Sequence, residues 1–203
     1  MNPDYYQTHP RDYFEKTFSV DPAPFLDPFQ QHLPRGAKIL DVGCGSGRDL
    51  LWLKKRGFDV VGLERSAGLA DLARQHSGCD VLIGDFETFD FAALDMDAVL
   101  MSGSLVHLPH AKLPAVLARI LSACGHNSQT LHRPSSNMQK YAYISIKEGL
   151  ATKGLADGRL FYLWEKKTMQ PVLEGLGLNI LEIRRSVSAL RPDDVWLAFI
   201  AAF

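Results

Sequence analysis

One seven-residue run, Asp41-Val-Gly-Cys-Gly-Ser-Gly47, constrains this chain more than any other stretch. Before it, Ala37-Lys-Ile-Leu-Asp-Val42 reads as a buried strand. After it, Arg48-Asp-Leu-Leu-Trp-Leu-Lys-Lys-Arg56 reads as a helix stopped by Gly57. Strand, glycine loop and helix in this order let the backbone come close to a ligand, because a glycine has no Cβ to collide with it. In open α/β sheets ligands bind beyond the carboxyl ends of the strands, which is where this loop falls.

The alternation then continues. Phe58–Leu63 reads as a second strand, and Ala67–His76 as a helix capped by Ser66. Asp80–Ile83 and Asp97–Met101 follow as strands, then a helix near Ala111–Ala123 and a fifth strand at Tyr141–Ile146. A helix over Lys166–Leu176 stops at Gly177, and two strands close the chain, Asn179–Ser188 and Val195–Phe203. The pattern predicts an α/β, Rossmann-like fold: a seven-stranded, mostly parallel sheet with helices on both faces. With no helix between the final two strands, the last one is expected to run antiparallel. Residues 4–33 are rich in aromatics and prolines and fit two short amphipathic helices broken around Asp21-Pro22-Ala23-Pro24. They form an expected helical cap, residues 1–35, on a single domain spanning 1–203.

Composition excludes several function classes. The 22 Lys and Arg are balanced by 23 Asp and Glu, so the basic excess with which a dedicated nucleic-acid binder neutralises phosphates is missing. No apolar run approaches the ~18 residues that span a bilayer, and Met1-Asn-Pro-Asp-Tyr-Tyr has neither the basic start nor the apolar stretch of a signal peptide. Three scattered cysteines, Cys44, Cys79 and Cys124, suit a reducing cytoplasm without disulfides or structural zinc. Residues 124–140 lack any apolar period. Despite Cys124, His126 and His132 they have no metal-ligand spacing, so a mobile polar loop and no metal are expected there.

The glycine loop leaves a choice between a dinucleotide and a smaller adenosyl cofactor. The dinucleotide fingerprint G-x-G-x-x-G needs a third glycine at position 48, which is Arg48. Asp41 would repel a pyrophosphate but suits the amino group of a methionine moiety. Glu64, ending the second strand, can accept from both hydroxyls of a ribose, with its side chain facing the cleft. Arg65 can lie along an adenine, Asp85 can accept from the adenine amino group, and the backbone of Phe86 can pair with the ring.

Leu40-Asp-Val-Gly-Cys-Gly-Ser-Gly47, Glu64 and Asp85-Phe86 together resemble the first three motifs of the class I S-adenosylmethionine (SAM)-dependent methyltransferases. The resemblance covers the chain from about Tyr13 onward and speaks to fold and cofactor rather than substrate. The Gly-Ser-Gly-Arg-Asp run, with Ser102-Gly-Ser-Leu-Val-His-Leu-Pro109, is similar to small bacterial methyltransferases, and tellurite-resistance methyltransferases share a comparable Gly-Arg. The chain departs from the family at residues 124–140, where a short Lys-Pro-Gly-Gly turn is usual.

The resemblance implies a cofactor set of Tyr13, Asp41, Gly43, Cys44, Gly45, Arg48, Glu64, Arg65, Asp85, Phe86 and Ser102, with S-adenosylhomocysteine (SAH) as product. It places the transferred methyl group beside Ser102-Gly103-Ser104. His107, just beyond, is the candidate general base, or else a histidine packing the next helix. His110, Lys147 and Glu148 are weaker candidates at the acceptor mouth, where Asp157–Trp164 supplies either an aromatic wall or core. The absence of an Asn/Asp-Pro-Pro-Tyr/Phe motif removes support for adenine or glutamine acceptors, leaving a small molecule. A non-catalytic SAM-binding sensor or partner subunit, and a protein or nucleic-acid methyltransferase, are the competing readings. Monomer and homodimer both fit.

Overall fold

The computed structural model describes residues 4–125 and 138–203. Three short helices come first: α1 (Asp4–Thr8), α2 (Pro10–Thr17) and α3 (Ala23–Gln30). The expected first helix is thus two, parted at His9-Pro10, because proline favours a helix's first turn and disfavours its interior.

The remainder alternates as the sequence predicts: β1 (Lys38–Val42), α4 (Arg48–Lys54), β2 (Asp59–Glu64), α5 (Ala67–Ser77), β3 (Asp80–Ile83), β4 (Ala98–Ser102), α6 (Leu113–Leu121) and β5 (Tyr141–Lys147). Ser66 caps α5 by accepting from the Leu69 N–H. Most of the 124–140 segment lies outside the described residues. Its described flanks sit at the amino-terminal end of β5, opposite the strand ends that carry the glycine loop.

After β5 comes a hairpin not foreseen from the sequence, β6 (Thr152–Gly154) with β7 (Leu160–Tyr162), then α7 (Lys166–Gly175), β8 (Asn179–Val187) and β9 (Val195–Ala202). The sheet order is β3-β2-β1-β4-β5-β9-β8. The strands of this sheet run parallel except β9, which pairs antiparallel with both β5 and β8. The last strand therefore inserts into the sheet instead of extending it.

Alternate residues of the strands face opposite sides. Ile39, Val60, Leu100 and Tyr143 pack under Leu26 and Phe29 of α3, Leu50 and Leu53 of α4, and Ala70 and Ala73 of α5. Leu40, Val42, Val99, Met101 and Ile144 meet Leu117 and Ile120 of α6 and Met169 and Leu173 of α7.

The loop's last glycine fixes how α4 and α5 meet. Gly47 has φ 73°, and a Cβ there would lie 2.9 Å from the Ala73 carbonyl oxygen and 3.0 Å from its Cα. Gly47→Ala should therefore combine left-handed strain of roughly 1–2 kcal/mol with displacement of α5. A melting temperature lowered by at least ~2–4 °C, the shift per kcal/mol at this size, is the expected result of a thermal melt.

Candidate functional site

Two cavities open at the carboxyl ends of β1, β2, β4 and β5, and they share Tyr13, Gly43, Gly45, Ser102 and Gly103 on their walls. The smaller is lined further by Glu64, Arg65, Asp85, Phe86 and His107. The larger, about 300 Å³, is lined further by Asp41, Cys44, Arg48 and Asp49. Every residue expected to hold a cofactor therefore lines one or both.

The glycines earn their places by close approach. Gly43 has φ 73°, and a Cβ on it would come within 2.5 Å of Ser104 Cβ. Gly45 has φ 56° and lies under Tyr13, whose ring a Cβ would approach to 3.3 Å. The loop is held from β2: the Gly43 and Cys44 N–H groups donate to the Leu63 carbonyl, and the Gly45 N–H donates to Glu64 Oε2 at 3.1 Å. Glu64 Oε1 accepts from the Ser66 N–H at 2.8 Å. Glu64 is thus a brace between loop and helix cap as well as a cavity wall. Burial pushes its carboxyl up, against those backbone donors.

Asp41 is 1% exposed, and its Oδ2 is one of two buried side-chain polar atoms without a partner among the described residues; the other is Ser104 Oγ. Burial, and next the charge of Asp49, push the Asp41 carboxyl well above the usual range. An ammonium placed at Oδ2 would relieve both penalties. Arg48 is committed elsewhere: it forks onto Asp49 at 2.6 and 2.9 Å and lies over the Phe25 ring. Arg65 Nη1 reaches Asp85 Oδ2 at 3.5 Å, while Asp85 Oδ1 accepts from the Glu87 N–H.

Sequence reasoning missed Tyr6. Its hydroxyl lies 2.8 Å from His107 Nε2, and His107 Nδ1 lies 2.6 Å from the Leu160 carbonyl. A carbonyl can only accept, so Nδ1 carries the proton and Nε2 accepts from Tyr6. Burial pushes the His107 pKa down to about 4. The Tyr6 carbonyl in turn accepts from Ser66 Oγ at 2.8 Å, and Arg159 of the hairpin stacks over Tyr5 at 4.0 Å. Helix α1 is thereby fastened over the smaller cavity from three sides. An aromatic-rich N-terminus is the only sequence signal for this.

The candidates at the acceptor mouth line neither cavity. Lys147 Nζ is buried, donating to Asp194 Oδ2 at 2.5 Å, and lies 3.9 Å from the Phe161 ring centroid. Glu148 pairs with Arg185, and His110 Nε2 contacts the Leu163 carbonyl. Phe161 and Trp164 are buried, in keeping with the core alternative. Among the described residues no group of three metal-ligating side chains is present, and no helix is long and apolar enough to cross a membrane.

Comparison with known proteins follows the same lines. Residues 39–127 match the family described as methyltransferase domain. A dTDP-3-amino-3,6-dideoxy-alpha-D-glucopyranose N,N-dimethyltransferase from Streptomyces fradiae is 36% identical over 92 residues, 44% of this chain and 36% of the relative. Across the first curated relatives the matched stretch is only 21 to 42% of their own length. Among solved structures, the Burkholderia thailandensis 1,6-didemethyltoxoflavin-N1-methyltransferase, with bound 1,6-didemethyltoxoflavin and S-adenosylhomocysteine, superposes with TM-score 0.73 at 19% identity, covering 98% of this chain and 84% of that one. A TehB-like SAM-dependent methyltransferase from Corynebacterium glutamicum gives 0.58 at 24% identity, covering 98% and 91%. Residues 39–127 of this chain thus match a methyltransferase domain, and the chain shares the fold of these SAM-dependent methyltransferase structures.

Proposed function

We propose that this protein transfers a methyl group from S-adenosylmethionine to a small-molecule acceptor. The observation that carries the reading is the pairing of the glycine cradle with Asp41, a buried carboxylate whose Oδ2 has no partner in the protein. The residues fit the cofactor along its length. Asp41 takes the amino group, the glycine loop the methionine backbone, and Glu64 the ribose hydroxyls with lone pairs its backbone donors leave free. Asp85, Arg65 and the Phe86 backbone frame the adenine. Cys44 and Arg48 support the loop rather than grip the ligand, since the Arg48 guanidinium is already spent on Asp49.

S-adenosylmethionine supplies a methyl group already activated by its sulfonium, so the protein's task is alignment at Ser102-Gly103-Ser104, a contribution of several kcal/mol. His107 acts here as the fixed point of α1: its accepting nitrogen is filled by Tyr6, and a pKa of about 4 is low for a base near neutrality. Relatives named for amino-sugar and ring acceptors support a small acceptor without choosing one, while others are named for acceptors carried on or within proteins.

Thermal-shift titration tests the cofactor. SAM or SAH at about 100 times its dissociation constant should add roughly 2.7 kcal/mol to stability, a rise of several degrees, while NAD and NADP should do little. A larger shift with NAD would overturn the assignment of Asp41. Radiolabelled methyl transfer into a metabolite pool separates an enzyme from a sensor.

A further inference from the structure

The larger cavity extends well past the glycine loop. Beyond Asp41 and Asp49 it runs between the α2–α3 link, where Asp21, Pro24 and Phe25 line it, and residues 186–190 after β8. Trp196 and Tyr143 form its wall beside Ser102 and Gly103. Trp196 is seated there by Gly103: with φ 69°, that glycine leaves room for the indole, whose nearest ring carbon would be 2.9 Å from an added Cβ. The chamber thus has a wall of aromatic faces beginning at the strand end where the methyl group is placed.

Its charge is one-sided. The acidic and basic side chains on the wall are Asp21, Asp41, Asp49 and Arg48, and the guanidinium is bidentate on Asp49. The nearby buried cation, Lys147, lies 5.6 Å from the Trp196 ring centroid, but it is held by Asp194, which also takes Lys153. With Asp41 taken by the cofactor's amino group and Asp49 by Arg48, Asp21 is left without a counter-charge on the wall. An anionic acceptor would meet repulsion and find no free counter-charge on the wall. A flat ring would gain aromatic contact with Trp196 and with the part of Phe25 that Arg48 leaves open, and a cationic ring would gain a cation–π contact besides.

We infer that this chamber is the acceptor site, and that it takes a flat ring compound, uncharged or cationic, and discriminates against anions. The inference rests on the methyltransferase reading for its connection to chemistry, but the chamber's preference can be measured without it. The probes are quinoline, N-methylquinolinium and 2-naphthoate, rings of one size and three charges, titrated into the full chain by ligand-observed NMR with and without saturating SAH. Quinoline and N-methylquinolinium should bind at least ten times more tightly than 2-naphthoate. Val187 and Leu190 stand on the rim, 63% and 53% exposed, so a larger side chain can enter the chamber from there without disturbing the core. Val187→Trp and Leu190→Trp should each weaken quinoline at least tenfold, with SAH titrated into the same variants as the check on fold. Equal or tighter binding of 2-naphthoate, or quinoline binding unmoved by both rim variants, overturns the proposal. Failure of SAH to bind the parent chain would instead sink the methyltransferase reading and leave the probe ranking to stand alone.

Discussion

Glu64→Ala should lower affinity for SAH by about 10- to 100-fold, the effect of losing charge-assisted bonds worth roughly 1.5–3 kcal/mol. It should also lower stability, which the sequence reading did not foresee. Glu64 accepts from the Gly45 and Ser66 N–H groups, and alanine leaves both donors without an acceptor at a buried position. Each such donor costs about 1–3 kcal/mol, so a melting temperature lower by at least ~4 °C is expected without any ligand. Glu64→Gln keeps an acceptor oxygen for one of the donors and should fall between alanine and the parent on both measures. Calorimetry and a thermal melt read the two effects separately. Unchanged SAH affinity would remove the ribose assignment, and an unchanged melt would show that the brace carries no weight.

The second large effect is expected at an ion pair outside the cofactor contacts. Asp194→Ala strips the partner from two lysines at once, one of them buried Lys147. Breaking a buried pair by removing one side costs about 3–5 kcal/mol, because the remaining charge is left uncompensated. Urea denaturation should show that loss, and the double variant Lys147→Met, Asp194→Leu should recover most of it. The pH dependence has a definite sign. Burial works against ionisation of Asp194, yet the two lysines hold its carboxyl below the ordinary range. A depressed carboxyl stabilises the fold fully above the unfolded value of about 3.9, and the contribution fades as pH falls through the folded value. The parent and Asp194→Ala should therefore converge only in strong acid. Full stability of the single variant at neutral pH would refute the account.

These two carboxylates show how far the sequence could be read. The place of Glu64 on the cavity wall was legible from position: it ends the strand after the one carrying the glycine loop. The same local logic gave the α/β class, the Ser66 cap and the antiparallel last strand. Asp194 was not legible, since nothing local ties it to a lysine 47 residues earlier. Nor could Tyr6 be tied to His107 across 101 positions, although that contact fills the histidine's accepting nitrogen. The β6–β7 hairpin did leave a local trace. Asp157-Gly158 is a turn pair, Gly158 has φ 80°, and the Leu155 N–H donates to the Arg159 carbonyl across it. Its three-residue strands were too short for the alternation test. The acceptor candidates failed for a related reason: lying just past a strand end suggests a mouth, but Lys147 and Glu148 had carboxylate and guanidinium partners supplied by β8 and the turn before β9.

The place of β9 has a consequence for synthesis on the ribosome. Val195–Ala202 pairs with β5 along its whole length and with β8 on the other side, so neither neighbour touches the other. A nascent chain that has emerged only to about residue 190 has an open β5 edge and a β8 with nothing to join. Sheet edges of this kind template pairing with foreign strands. The apolar run of β9 then has to enter a gap flanked on both sides rather than add to a rim, a step of high sequence separation on the β5 side and correspondingly slow. Ribosome stalling or cleavage shortly before Val195 should therefore yield not a slightly shortened protein but a sticky one, held by chaperones until the closing strand arrives.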